Sequence, residues 1–173
     1  NQSIWLVVWG PQTCHGIVPK GSKAGLQVTD KGQVTVEDAS DGSNTGRYEA
    51  YRTHYRWDVG LTLRDWRYVV RIPNIDKSAL SATFTSGAFA SGANLPDLMF
   101  QGMRLIPNLN AGRASFYMSR DTASWVARQK AAMGLSSYAE SETVAGDKRW
   151  TERFNGIPMR RVDALSADEA LVS

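Results

Sequence analysis

Tyr51-Arg52-Thr53-His54-Tyr55-Arg56-Trp57-Asp58-Val59-Gly60-Leu61-Thr62-Leu63-Arg64-Asp65-Trp66-Arg67-Tyr68-Val69-Val70-Arg71-Ile72 is the stretch on which the fold turns. Up to Leu63 the odd positions Tyr51, Tyr55, Trp57, Val59, Leu61 and Leu63 are apolar, while Arg52, His54, Arg56, Asp58, Thr62 and Arg64 take the even ones. A period of two predicts a long strand with one buried face. At Arg64-Asp65 the phase flips, and Trp66, Tyr68, Val70 and Ile72 become the apolar set. A one-residue slip sends every side chain to the other face, so a bulge or sharp bend is predicted near Arg64. Such an element exceeds the usual strand of about five or six residues. Its length suits a protein that must reach its neighbours.

Upstream, Ile4 to Trp9 is a continuous apolar run closed by Gly10-Pro11, which predicts a short strand buried on both faces. Leu26 and Val28, then Val34 and Val36, alternate with polar residues around Asp30-Lys31-Gly32, which predicts a hairpin turning there. Asp38 to Gly46, rich in Ser, Asp, Asn and Gly, reads as a flexible loop. Downstream, the small, polar run from Ser78 to Asn94 reads as a linker or mobile loop between lobes.

Asn94 then caps a helix with Pro96 in its first turn and Leu98, Met99, Gly102, Leu105 and Ile106 on one face. Ala114 to Met118 is a strand. Ser119 opens a second helix with Trp125, Val126, Gln129, Ala132 and Met133 on one face, and Gly134 ends it. Leu135 to Asp147 reads as a mobile loop and Gly156 to Val162 as a last strand. The expected class is α+β: a strand-rich part over 1–77, a linker over 78–94, and a helix-strand-helix-strand part over 95–173.

Composition narrows the role further. None of the apolar runs approaches the roughly 20 residues of a membrane helix, which excludes one. Cys14 is the only cysteine, so an internal disulfide framework is out and a reducing compartment is expected. The formal charge of +3 is mild and its cations are interspersed with acids, so contact with nucleic acid should be weak and blind to sequence. The opening segment has neither the basic head nor the cleavage site of a signal peptide. It starts without Met directly on a strand-like run, which predicts a longer parent chain upstream.

Catalytic and metal motifs are looked for without result. Cys14-His15, with only His54 besides, falls short of the four ligands of a structural zinc site. Pro19-Lys20-Gly21-Ser22-Lys23-Ala24-Gly25 has Gly and Lys but not the spacing or following helix of a phosphate loop, and reads as a surface turn. No Gly-x-Ser-x-Gly elbow is present, and Asp38/Asp41 and Glu140/Glu142 lie in stretches that look solvated. No catalytic residue, metal ligand or cofactor is therefore assigned, and the chain is expected not to be an enzyme. Two binding roles stay as alternatives. Arginines interleaved with aromatics from Arg47 to Arg71 could serve a nucleic-acid surface. Six tryptophans in a strand-rich chain could line a carbohydrate-binding face.

A resemblance decides among these. Trp9-Gly10-Pro11, Gly16-Ile17, Pro19 to Leu26, Gly46-Arg47-Tyr48, Tyr51 to Leu61, Arg64 to Ile72 and Asn74-Ile75-Asp76 look like the major capsid proteins of podophages similar to epsilon-fifteen and of related prophages. The order helix, strand, Met118-Ser119-Arg120-Asp121, helix, Gly156-Ile157-Pro158 strand resembles the axial domain of the shell fold named after phage Hong Kong 97. The resemblance implies a structural protein of an icosahedral virion capsid enclosing double-stranded DNA. It implies a peripheral domain over 1–77 and an axial domain over 95–173, joined by 78–94. The family's N-terminal arm, extended loop and spine helix find no counterpart here, as loss of an N-terminal portion would produce, and its covalent cross-linking is not carried over.

Implied partners are further copies, as hexamers and pentamers, with scaffolding, portal and decoration proteins and non-specifically contacted packaged DNA. No membrane partner is implied, and the host bacterial cytoplasm precedes the virion. Arg52, Arg56, Arg64 and Arg67 are expected to form charge-paired contacts between subunits.

Overall fold

The computed structural model describes residues 1–38, 46–134, 139–144, 147–165 and 169–172. In chain order the strands are β1 (Gln2–Trp9), β2 (Cys14–Ile17), β3 (Gln27–Asp38), β4 (Gly46–Arg56), β5 (Gly60–Leu63), β6 (Val69–Ile75), β7 (Phe84–Thr85) and β8 (Ala88–Phe89). Helix α1 (Leu95–Leu105), β9 (Arg113–Met118), α2 (Arg120–Ala132), β10 (Ala139–Val144), β11 (Asp147–Phe154) and β12 (Ile157–Arg161) complete the order. The result is a mixed α/β fold with two helices. It divides into two compact units, Asn1–His15 with Leu63–Ser173, and Gly16–Thr62.

In the first unit β1 is the central strand. It pairs antiparallel with β9 on one edge (Leu6 opposite Phe116) and with β6 on the other (Leu6 opposite Val70). Parallel β12 extends the sheet beyond β9, and β11 and β10 follow. A strand with neighbours on both edges and cover on both faces admits no polar alternation, and Ile4, Leu6 and Val8 are fully buried. Truncating such a residue, as in Leu6→Ala, costs about 2–5 kcal/mol. Along β6 the pairing slips between Gln2 and Ile4 of β1, where Pro73 offers no N–H and Asn74 takes φ 61°.

The helices start where side chains accept the free N–H groups of the first turn. Asn94 Oδ1 accepts from Asp97 N at 3.2 Å, and Ser119 Oγ from Thr122 N at 3.2 Å. Helix α1 buries Leu95, Met99 and Gly102, and α2 buries Thr122, Ala123, Val126, Gln129 and Lys130. Gly102 is where α1 comes close to β6, since a Cβ there would meet Ile72 Cδ1 at 3.2 Å. The core joins these faces to Phe116, Met118, Phe154, Ile157 and Met159. Phe116 and Phe154 meet edge to face, with centroids 5.9 Å apart.

Three sequence expectations are corrected. The run around Asp30-Lys31-Gly32 is not a hairpin turn: β3 continues through it with a bulge between Asp30 and Gln33 and pairs with β4. Asp30 Oδ1 accepts from Gly32 N at 2.9 Å and Gly32 takes φ 69°, so the turn-type residues reset the register instead of reversing the chain. The strand expected from Tyr51 to Leu63 is broken at Trp57–Val59 into β4 and β5, and its apolar face is not buried. The stretch from Ser78 to Asn94, expected as a linker or mobile loop, buries Leu80 and makes the small β7–β8 hairpin. Residues 139–144 and 147–154 form the β10–β11 hairpin in place of a loop. The loop expected within 39–45, and 135–138 and 145–146 of the other, lie outside the described residues.

Other expectations hold. The chain bends at Arg64, and Asp65 then caps a 3₁₀ turn over Trp66–Tyr68. Both helix caps fall where the sequence puts them, and Gly134 takes φ 71° after α2. On the helix faces, Leu105 is exposed, while Thr122 and Lys130 are buried without being expected.

Candidate subunit interface

The second unit holds the ribbon β3–β4, whose two faces are fixed by register. Val28 opposite Tyr55, Gln33 opposite Tyr51, Thr35 opposite Glu49 and Glu37 opposite Arg47 share one face. Polar contacts run along that face: Thr35 Oγ1 donates to Glu49 at 2.5 Å, and Arg47 pairs with Glu37 at 3.4 Å. The other face carries Val34 opposite Ala50 and Val36 opposite Tyr48, followed along β4 by Arg52, His54 and Arg56. The bulge at Lys31-Gly32 brings this about, because it changes the phase of β3 and moves Val34 and Val36 to the face opposite Val28.

Val34, Val36 and Ala50 are half-buried, whereas other apolar residues of this unit are well exposed. Tyr51 is 82% exposed and Tyr48 54%, and Tyr55, Trp57, Val59 and Leu61 are each above half. A single exposed apolar side chain is ordinary, whereas several in one compact unit make it a candidate for contact with a partner.

The four arginines named from the sequence lie in both units, Arg52 and Arg56 on the same face of β4, Arg64 and Arg67 around the bend before β6. Arg67 grips Asp65 with two nitrogens, Nε to Oδ1 at 3.0 Å and Nη2 to Oδ2 at 2.7 Å. The hydrogen bonds from the Arg67 side chain and backbone hold the Asp65 carboxyl below its usual range. Arg56 pairs with Asp58 in the same way, at 3.0 and 2.9 Å, and this pairing raises its pKa. Arg64 donates to Gln12 at 3.2 Å, and its backbone N–H donates to Thr13 O at 2.8 Å. Arg52 has no hydrogen-bond or ion-pair partner among the described residues. Sequence reasoning names these arginines but misses Asp58 and Asp65 as their partners, although a spacing of two residues at a turn is the available signal.

Elsewhere the chemistry is sparse. No group of three or more His, Cys, Asp or Glu side chains among the described residues could hold a metal ion. Cys14 is buried, which pushes its thiol pKa up. Pro19 to Gly25 forms turns leading into β3, with no helix after it. No described helix is long and apolar enough to cross a membrane.

The first unit has a continuous core and the second carries a ribbon with exposed aromatic side chains. The family model for the major capsid protein GP7 matches residues 1–173, and the chain belongs to that family of phage capsid proteins. It is thus a structural component of a viral shell, assembling with further copies of itself. A search of curated proteins returned no match.

Proposed function

We propose that this chain is the repeating subunit of an icosahedral phage head that encloses double-stranded DNA, in the manner of epsilon-fifteen-like podophages and with the Hong Kong 97-type shell fold. The observation that carries the reading is the family match along the whole of 1–173. The order α1, β9, α2, β12 suits the axial domain of that fold over 95–173, with a peripheral part over 1–77 and a connection over 78–94. These are divisions of role, whereas the compact units follow from packing.

In this reading the copies form hexamers and pentamers, with scaffolding, portal and decoration proteins as further partners. Packaged DNA is met without sequence preference, and assembly starts from the host bacterial cytoplasm. Hundreds of repeats make modest contacts sufficient, since each apolar square ångström buried contributes about 25 cal/mol before association costs. Arg52, Arg56, Arg64 and Arg67 contribute charged contacts to neighbouring subunits. Arg56 and Arg67 bring their aspartates with them, so those contacts involve ion pairs already formed, while Arg52 has no ion pair among the described residues. Expression of the gene with its neighbouring phage genes, followed by density-gradient sedimentation and negative-stain microscopy, tests the proposal. Uniform icosahedral particles of this polypeptide are expected. Soluble monomers under every assembly condition would contradict it.

A further inference from the structure

We infer that the apolar strip Val34, Val36, Tyr48 and Ala50 on one face of the β3–β4 ribbon is a docking surface for a second copy of this chain. The inference rests on the shell reading and names the surface that reading leaves open.

Among the described residues the ribbon has two strands only, with Tyr48 54% exposed and Val34, Val36 and Ala50 half-buried. A lone two-stranded ribbon is marginal in water and gains when an apolar strip on one of its faces is covered. Opposite Val36 and Tyr48 the other face is polar and internally satisfied, with Thr35 bonded to Glu49 and Arg47 to Glu37, while its apolar residues Tyr51, Tyr55 and Val28 lie further along the ribbon. Over 34–37 and 47–50 the apolar residues are therefore on one side, and the bulge at Lys31-Gly32 makes it so: unbroken alternation would have put Val34 and Val36 with Val28.

Membership of a capsid family supplies the occupant, because a protein that assembles with itself meets its own copies at high local concentration. The same face continues from the strip to Arg52, which lacks a partner among the described residues. The footprint is thus an apolar centre with a cationic end, and it calls for an apolar seat flanked by a carboxylate.

The test uses the full chain in an assembly reaction, with three forms compared. Val36→Asp puts a charge in the strip, and Gln33→Glu puts one on the opposite face. A benzophenone side chain at position 48 reports what lies against Tyr48. Val36→Asp is expected to lower particle yield at least about tenfold while Gln33→Glu assembles normally, as for a central apolar contact. The benzophenone is expected to join two copies in particles. Particles from Val36→Asp at the unaltered yield, or benzophenone links confined to one chain, would overturn the docking surface. If Val36→Asp fails to fold, the benzophenone result alone decides. No particles from the unaltered chain would overturn the shell reading itself, and the docking with it.

Discussion

Gln129, on α2, accepts from the backbone N–H of Leu95, the first residue of α1, through Oε1 at 2.9 Å. Its Nε2 donates to the carbonyls of Ala93 at 3.0 Å and Ser81 at 3.1 Å, and the side chain is fully buried. One amide thus ties α2 to the start of α1 and to the connection before it. Gln129→Leu keeps the volume but leaves one buried and two part-buried backbone groups without this partner. It should destabilise the protein by about 3 kcal/mol, since each unsatisfied group costs roughly 1–3 kcal/mol and relaxation recovers part. Urea unfolding of the soluble chain checks this through the midpoint.

A second prediction concerns the segment at 169–172. Glu169 accepts from Ser3 Oγ and, at 2.9 Å, from Arg71 Nη2, while Asn74 exchanges two hydrogen bonds with the Val172 backbone at 2.8 and 2.9 Å. Burial pushes the Glu169 pKa up, but the hydrogen bonds from Ser3 and Arg71 and the Arg71 charge outweigh it, so the pKa lies below its ordinary 4.5. A lowered folded pKa gives stability that is present above the unfolded value and lost as pH falls through the folded one. Glu169→Gln should therefore lower Tm at pH 7, with a difference that shrinks below about pH 4.5. The loss at pH 7 should be about 1 kcal/mol, given the partial exposure of Arg71. Thermal melts of both forms across pH check the sign.

Gly112→Ala is expected to be among the most damaging single changes. An added Cβ would lie 2.2 Å from Trp9 O and 2.8 Å from Trp9 C, backbone atoms of the central strand that cannot swing aside. A cost of about 3 kcal/mol or more is expected from the forced shift of β1 against β9, read as a fall in soluble yield and Tm.

Charge reversal separates folding from assembly. Arg67→Glu breaks an exposed pair with Asp65 and Arg52→Glu breaks none among the described residues. Both should leave the thermal midpoint of the soluble chain nearly unchanged. Particle yield should fall for both, and more steeply with Arg52→Glu. Differential scanning calorimetry beside sedimentation of assembly reactions measures the two effects independently.

What the sequence makes legible is local. β1 reads as a doubly buried strand from Ile4 to Trp9, and Asn94, Ser119 and Gly134 mark helix ends by chemistry that acts within a few residues. The bend at Arg64 is visible because a phase flip needs only neighbouring side chains. Asp30-Lys31-Gly32 misleads because an Asp-x-Gly step serves a bulge as well as a turn, and only the register with β4 distinguishes them. Alternation from Tyr51 to Tyr55 shows which residues share a face but not whether anything covers it, so apolar residues expected in a core stand at the surface. The β10–β11 hairpin is missed because its sequence lacks apolar alternation. At the candidate interface the arginines are legible and the one-sided strip is not, since it exists only once the bulge has set the pairing.

The most direct test of the central claim is a cryo-electron microscopy reconstruction of purified particles at side-chain resolution. The account predicts the β1–β6–β9 sheet with α1 and α2 at every position of an icosahedral shell, and density of a neighbouring copy against Val36 and Tyr48. A shell built from a different polypeptide, with this chain absent, would contradict it.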